Sequence, residues 1–440
     1  MNNLGDAVRK VSAQSSLFPK RTGTERQGPH GWFPYYAGYA NAFVEQILQA
    51  VSDECGAVRV LDPWNGSGTT SLVAHRVGHV PFGFDINPVL SIVSSAKLAH
   101  AEDALNLAGL ARRLAAAPSC IHLAEDPLCT WLSASAVARY RGIERALIQE
   151  LATTHRGTAL RPDRDGFPPL AAFLLLALIR TARTYASMKQ GSNPTWVRPS
   201  DERRMAGTNL GTRWVERVMA MAADLRAPRG KTTWNGTLGI ADARKLPVAD
   251  ATIDFVLTSP PYCTRIDYII SASFELAALG IAGGSEEFER LRKTSMGTPL
   301  SRSRELPKVP RVWPASVNHI LTAIREHPSK ASHSYYYRTY WQYFDDVMKS
   351  LSELHRVVRP GGAAVLVVQS SYYKEIQIDL PTLYVECARS LGFDAEVSSG
   401  VQVRRAMSQI NPHSRKHRAK KHYREGVVVL ERCMNVESKP

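Results

Sequence analysis

The stretch from Val58 to Pro88 constrains the fold more than any other part of the chain. A short apolar run, Val58-Arg59-Val60-Leu61, leads into Asp62-Pro63-Trp64-Asn65-Gly66-Ser67-Gly68-Thr69-Thr70, and a helix is predicted to start across Ser71–Val77. A second run, Val80-Pro81-Phe82-Gly83-Phe84, ends on Asp85-Ile86-Asn87-Pro88. Strand, glycine turn, helix and strand form a cofactor-binding unit. Glycines let backbone amides approach a ligand closely, and a helix N-terminus favours negative charge. An acidic residue closing the second strand, about 20 residues beyond the glycines, is placed to accept hydrogen bonds from ribose hydroxyls. This spacing also suits a nicotinamide enzyme, so the unit predicts an α/β fold without choosing the cofactor.

A second segment narrows the choice. The apolar run Ile253-Asp254-Phe255-Val256-Leu257 feeds Thr258-Ser259-Pro260-Pro261-Tyr262. Each proline fixes its own φ and biases the preceding residue toward extended geometry, giving a rigid, non-helical mouth at a strand end. Such a mouth can hold a flat base against Tyr262 while Ser259 and main-chain carbonyls face an exocyclic amino group.

Taken together, the two segments resemble those of the S-adenosylmethionine-dependent amino-methyltransferases of DNA, which modify N4 of cytosine or N6 of adenine. Asp62–Thr70 looks like their cofactor loop and Thr258–Tyr262 like their catalytic loop. The resemblance covers roughly 30–100 and 235–435. It implies a Rossmann-like class I methyltransferase: an α/β fold with a mostly parallel seven-stranded sheet, a C-terminal antiparallel hairpin and, here, a large helical insertion. It implies S-adenosyl-L-methionine as cofactor and double-stranded DNA with a flipped base as partner, alongside possible restriction or defence subunits. By the same resemblance Ser259, Pro260, Pro261 and Tyr262 are catalytic. Gly66, Ser67, Gly68 and Thr69 would lie under the methionine portion, with Asp62, Pro63 and Trp64 near its amino group. Asp85, Ile86 and Asn87 would take the ribose, and Asp242 with Ala243 the adenine. Phe33 and Pro34 would lie in the segment preceding the cofactor loop, and Asp267 and Tyr268 would touch the target. Serine in the first motif position leans toward cytosine, because adenine enzymes more often carry the stronger acceptors Asp or Asn there. One departure stands out: the cofactor loop precedes the catalytic loop, the reverse of the commonest order for sequences of this style.

Charge agrees with a polyanionic partner. The chain of 440 residues carries a net charge of +15 with a pI near 9.6, and Lys and Arg that neutralise phosphates release condensed counterions. The six cysteines are scattered without a CxxC, which fits a reducing cytoplasm. Cys120, His122 and Cys129 lack a fourth ligand at a usual spacing, so no metal site is expected. No apolar leader opens the chain, and its longest apolar stretch, Phe167 to Ile179, is too short to span a bilayer and reads as a buried helix.

Residues 1–30, rich in Lys, Arg, Ser, Thr and Gly, read as a flexible arm. A helix is expected over Ala40–Ala50, and the catalytic domain is expected over 31–100 and 233–440. The Ala-, Leu- and Arg-rich 101–232 reads as a helical insertion without strands. Its second half is basic and is a candidate target-recognition region contacting phosphates and base edges. The Arg/Pro-rich 283–333 reads as mobile or substrate-facing. Gly239–Ala243 is a third strand ending in Asp242, and Ala363–Gln369 a buried strand after a helix starting near Tyr340. Helix 381–391 precedes strands near Ala395–Val403 and Gly426–Arg432. Between those strands lies a loop with eight Lys/Arg and three His, including Arg404, Arg405, Arg415 and Lys416, a phosphate-binding candidate. Two other readings stand beside the leading one: methylation of RNA amines on the same fold, and a non-catalytic nucleic-acid-binding subunit. The intact pair of loops argues against the second.

Overall fold

A computed structural model describes residues 4–12, 19, 28–35, 38–100, 106–120, 125–152, 167–189, 196–200, 202, 205–225, 234–264, 266–403 and 422–434. Its centre is a seven-stranded sheet built from β1 (Arg59–Asp62), β2 (Val80–Asp85), β3 (Thr237–Ile240), β4 (Ile253–Thr258), β5 (Val358–Gln369), β6 (Phe393–Val403) and β7 (Tyr423–Arg432). The strand order is β6-β7-β5-β4-β1-β2-β3, and β7 alone runs antiparallel to its neighbours. This is the Rossmann-like arrangement expected, closed at one edge by the C-terminal antiparallel pair.

Alternation of side chains explains how one sheet serves two layers. In β5, Ala363, Val365 and Val367 face the layer that holds α1 (Leu4–Ser12), α2 (Asn41–Cys55) and α3 (Thr69–Arg76), as do Val427 and Val429 of β7. Ala364, Leu366 and Val368 face the other layer, with Val428 and Leu430, against the long helix Tyr337–Val357 and the helix Leu380–Arg389. Both faces are covered, so these strands read as unbroken apolar runs. Each fully buried Val or Leu contributes roughly 1.5–3 kcal/mol relative to exposure.

The 101–232 segment contains α5 (Leu107–Ala115), α6 (Ala134–Ala152), α7 (Pro169–Arg183) and α8 (Leu210–Leu225), after α4 (Pro88–Ala96), which follows β2. Val89, Ile92, Val93 and Ala96 of α4 share one apolar core with α7 and α8, so these helices are rooted on the β1–α3–β2–α4 unit. The apolar Ala171–Ile179 run is buried all round, as a helix wrapped by others must be.

Three expectations are corrected. Leu4–Ser12, read as part of a flexible arm, is a helix: Leu4 and Val8 are buried, and Arg9 pairs with Asp394, Glu396 and Glu431 at 2.7, 3.2 and 3.1 Å. Its i, i+4 apolar pair docks on the sheet, a signal hidden by the polar residues around it. The insertion holds a two-residue antiparallel pair, Met188–Lys189 with Arg198–Pro199, where strands were not expected. The 283–333 stretch, read as mobile or substrate-facing, contains the helices Glu286–Thr294, capped by Ser285, and Ala315–Glu326, which corrects the first alternative, while Thr294, Ser295 and Met296 line the cavity described below. A small hairpin, Ser371–Tyr373 with Ile376–Ile378, also went unread. Arg404, Arg405, Arg415 and Lys416 lie outside the described residues. Among the described residues no helix is long and apolar enough to cross a membrane.

Candidate active site

The chain leaves β1 toward β2 and β3 on one side, and β4 and β5 extend the sheet on the other. The carboxyl ends of β1 and β4 therefore meet at a topological switch point, where open α/β sheets bind ligands. Val60 pairs with Phe255 and Leu61 with Val256, which sets Asp62 and Thr258 at one end of the sheet. A cavity of about 210 Å³ opens there.

Its first wall is the glycine loop. Gly66 and Gly68 have φ of +50° and +78°, which L side chains rarely adopt, and a Cβ on Gly68 would lie 2.7 Å from Cβ of Ser94. A Cβ on Gly66 would lie 2.9 Å from the Tyr35 ring, itself part of the cavity wall. Gly83 removes a third clash, because a Cβ there would stand 2.4 Å from Ser71 Oγ. Ser71 Oγ instead donates to Asn65 Oδ1 at 2.6 Å and stiffens the turn. Buried Lys97 donates to the Ser67 carbonyl from below. Asp85 closes β2 with one oxygen accepting from Gly66 N and the other from Asn87 N, each at 2.9 Å. Burial pushes its carboxyl up to about 6 despite those bonds.

Asp62 joins this wall to the next. Its Oδ1 accepts from Trp64 N at 3.1 Å and from Thr258 Oγ1 at 2.6 Å. Its Oδ2 accepts from Thr70 Oγ1 at 2.7 Å, with the Tyr39 hydroxyl at 3.4 Å. Thr70 and Tyr39 both also reach the Leu257 carbonyl. The buried carboxylate thus laces α3, after the glycine loop, to β4, before the proline mouth, and its acceptor positions are largely taken within the protein. Burial pushes Asp62 up to about 6 as well, its four bonds offsetting only part of the desolvation.

The second wall is the proline mouth. Ser259 Oγ donates to the Val367 carbonyl at 3.1 Å, a bond that spends its proton and leaves oxygen lone pairs as acceptors. The Tyr262 hydroxyl lies 3.3 Å from Ser259 Oγ and donates to Glu425 Oε1 at 3.4 Å. Burial and the Glu425 charge hold the Tyr262 phenol far above its ordinary value, so it stays protonated. The loop is braced from behind, Tyr343 donating to the Pro261 carbonyl at 3.1 Å and Ser371 to the Cys263 carbonyl at 3.0 Å.

At the cavity's far end, Asp242 accepts from Arg244 Nε and Nη2 at 2.8 and 2.6 Å. Arg244 continues to the Thr294 carbonyl at 2.7 Å and to fully buried Asp346, on which Arg302 also converges. Ala243 and Asn87 line the same region, with Thr294, Ser295 and Met296.

The cavity gathers Asp62, Pro63, Trp64, Gly66, Ser67, Thr69, Asp85, Ile86, Asn87, Asp242, Ala243, Ser259, Pro260, Pro261, Tyr262 and Tyr268. Gly68 supports the turn from outside the lining. Asp267 is not in the wall: it caps the helix Tyr268–Ser271 through Ile270 N at 3.0 Å and pairs with Arg292 at 2.9 Å, a bracing role. Phe33 packs on the helical core with Arg180 over its ring, and Pro34 is exposed; the segment's cavity residues are Tyr35, Gly38 and Tyr39 instead. Glu425, Gln369, Arg244 and Met296 also line the cavity and went unread. Glu425 could not be found from sequence, since it sits among the charges flanking an apolar strand.

Comparison with known proteins follows this geometry. No family model matches the chain. It is 23% identical over 418 residues to the type II methyltransferase M.BsoBI of Geobacillus stearothermophilus, covering 84% of this chain and 79% of that protein. It is 24% identical over 200 residues to the type II methyltransferase M.AvaI of Nostoc sp. and to that of Anabaena variabilis, covering 42% of this chain and 38% of each. Among solved structures it matches the antibiotic-resistance methyltransferase Kmr at 12% identity and a TM-score of 0.19, over 50% of this chain and 71% of that one.

Proposed function

We propose that the chain is an S-adenosylmethionine-dependent DNA amino-methyltransferase that methylates the N4 amine of a cytosine flipped out of double-stranded DNA. The observation that carries this reading is the state of Ser259: its proton is committed to the Val367 carbonyl, so its oxygen faces the cavity beside Tyr262 as an acceptor. An aromatic amine is a weak nucleophile because its lone pair is delocalised into the ring. Ser259 Oγ and the Pro260 carbonyl can each accept one N–H, pulling the nitrogen toward tetrahedral geometry and freeing the lone pair. Tyr262, held neutral, offers its face for stacking. Orientation and fixed dipoles then supply most of the acceleration.

The donor side fits the cofactor. Gly66 leaves room in the cavity wall beside the Tyr35 ring, Gly68 lets the turn close against Ser94, and Asp85 faces the cavity where ribose hydroxyls would donate to it. Asp62 borders the methionine end and offers charge to its amino group. Asp242, oriented by Arg244, retains acceptor capacity on Oδ2 for the adenine amine. When bound, S-adenosylmethionine supplies a methyl that leaves sulfur without its bonding pair, so the accepting amine gains positive charge until it sheds a proton.

Flipping a base costs a few kcal/mol, which contacts to the duplex must offset. Several arginines of the insertion are spent internally: Arg141 on Asp126 and Glu144, Arg183 on Glu275, and Arg217 on Thr181. The remaining basic residues of 101–232 and the basic 404–421 segment carry the recognition role in this reading, in a cytoplasmic enzyme of restriction–modification or phage defence. The test is mass spectrometry of nucleosides from DNA and RNA incubated with the protein and methyl-labelled S-adenosylmethionine. Labelled N4-methylcytosine in DNA is expected. N6-methyladenine would reverse the base, label only in RNA would move the substrate, and cofactor binding without label would leave a non-catalytic binding subunit.

A further inference from the structure

Resting on the reading just given, we propose that Glu425 is a positioning residue that supplies, from the far strand of the sheet, the carboxylate that the first position of the catalytic loop lacks. With Ser259 there, the loop offers the amine only a neutral acceptor. Neutral acceptors are weaker than ionised ones by roughly a factor of two, and they do nothing to balance the positive charge that the amine acquires.

The fold places a carboxylate next door. β7 pairs antiparallel with β5, and Glu425 stands opposite Gln369 in that register. Glu425, Gln369, Ser259 and Tyr262 all line the one cavity. Ser259 Oγ, the Tyr262 hydroxyl and Glu425 Oε1 form a chain of oxygens spaced 3.3 and 3.4 Å apart, hydrogen-bonded only between Tyr262 and Glu425 because the Ser259 proton goes to the Val367 carbonyl. The direction of that chain matters. Tyr262 donates to Glu425, so the phenol is polarised by the charge and its ring is fixed by it. Positive charge developing on an amine beside Ser259 therefore meets a carboxylate one hydroxyl away, in a cavity lined by Pro260, Pro261 and Tyr262. Charge fixed in place before reaction costs no reorganisation during it, and removing one such group typically lowers turnover about 10²-fold.

Other roles fit less well. As a purely structural hydrogen-bond acceptor, Glu425 would be matched by glutamine, which keeps the shape and an acceptor oxygen for Tyr262. As a cofactor contact it is misplaced, because the ribose and adenine walls are built by Asp85 and Asp242 from β2 and the end of β3.

The test compares Glu425→Gln with Glu425→Asp in the full-length protein. Single-turnover methylation of unmodified genomic DNA is read with labelled S-adenosylmethionine, and cofactor affinity and thermal melting are measured on the same samples. Glu425→Gln is expected to lose about 10²-fold in rate while cofactor affinity and melting stay at wild-type values. Glu425→Asp, which keeps the charge, is expected to lose markedly less. A Gln variant within threefold of wild type overturns the proposal, and so do equal losses in both variants, which would mark a packing role. A wild-type protein that binds cofactor yet methylates no DNA overturns the underlying functional reading and this assignment with it.

Discussion

Replacing Thr258 with valine tests whether Asp62 couples the two loops through a charge. Valine keeps the shape of a fully buried side chain and removes only the hydroxyl that donates to Asp62 Oδ1 at 2.6 Å. A hydrogen bond to an ionised group contributes about 1.5–3 kcal/mol, and a neutral one about 0.5–1.5. The loss should therefore depend on the protonation of Asp62. Burial raises its folded carboxyl from 3.8 to about 6, so above that value the carboxylate is ionised and the bond is charge-assisted. Below it the group is protonated and the bond matters less. Thermal melts of wild type and Thr258→Val across pH 5 to 8 should show a gap of about 1.5–3 kcal/mol at pH 8 that shrinks roughly twofold by pH 5. The variant's own Asp62 should titrate higher, because the largest hydrogen bond opposing desolvation is gone. Catalysis should fall as well, since a misplacement of about 1 Å at a reacting centre costs on the order of 10²-fold. A gap independent of pH, or one that widens in acid, would refute the coupling through an ionised Asp62.

The remaining expectations are simpler. Asp85, also raised to about 6, should bind ribose hydroxyls only when ionised, so cofactor affinity measured by calorimetry should rise as pH passes upward through that value. The same raised carboxyls predict the opposite trend for the protein without cofactor: the folded state binds more protons than the unfolded one between 3.8 and about 6, so their contribution to stability declines as pH rises through that window. Asp85→Ala should remove the affinity step, and an unchanged profile would dismiss its ribose role. Gly68→Ala should destabilise by about 2–4 kcal/mol, combining left-handed strain with overpacking against Ser94; a melting temperature at or above wild type would contradict the geometry. Ser259→Ala should lower methylation at least about 10²-fold with cofactor affinity kept, and full activity would remove Ser259 from the mechanism.

Much of the fold was legible because its signals are local. Val58–Asp85 carries strand, positive-φ glycines and strand in one stretch of sequence, and short-range sterics decide such a unit wherever it sits. The prolines after Ser259 act the same way, setting the shape of the mouth without help from distant parts of the chain. The apolar runs at Ile253–Leu257 and Ala363–Gln369 mark strands buried on both faces, since only a covered parallel sheet tolerates them. The docking of Leu4–Ser12 was not legible, because Leu4, Val8 and Val11 spaced through a polar segment signify nothing until a sheet face is there to receive them.

What tertiary structure decided is which charges meet. Asp62 reads in sequence as a loop residue beside a ligand, yet pairing of β1 with β4 brings Thr258 to it, 196 residues away, and makes it the tie between both halves of the site. Asp267 reads in sequence only as a neighbour of Tyr268, and it is Arg292, from the helix Glu286–Thr294, that reaches it and makes it a brace. Glu425 carries no mark of function in its own neighbourhood; only the antiparallel return of β7 beside β5 sets it behind Tyr262. Backbone conformation follows from neighbours in sequence, which is why the loops could be read, whereas the electrostatics of a site sum over neighbours in space that only the folded sheet brings together.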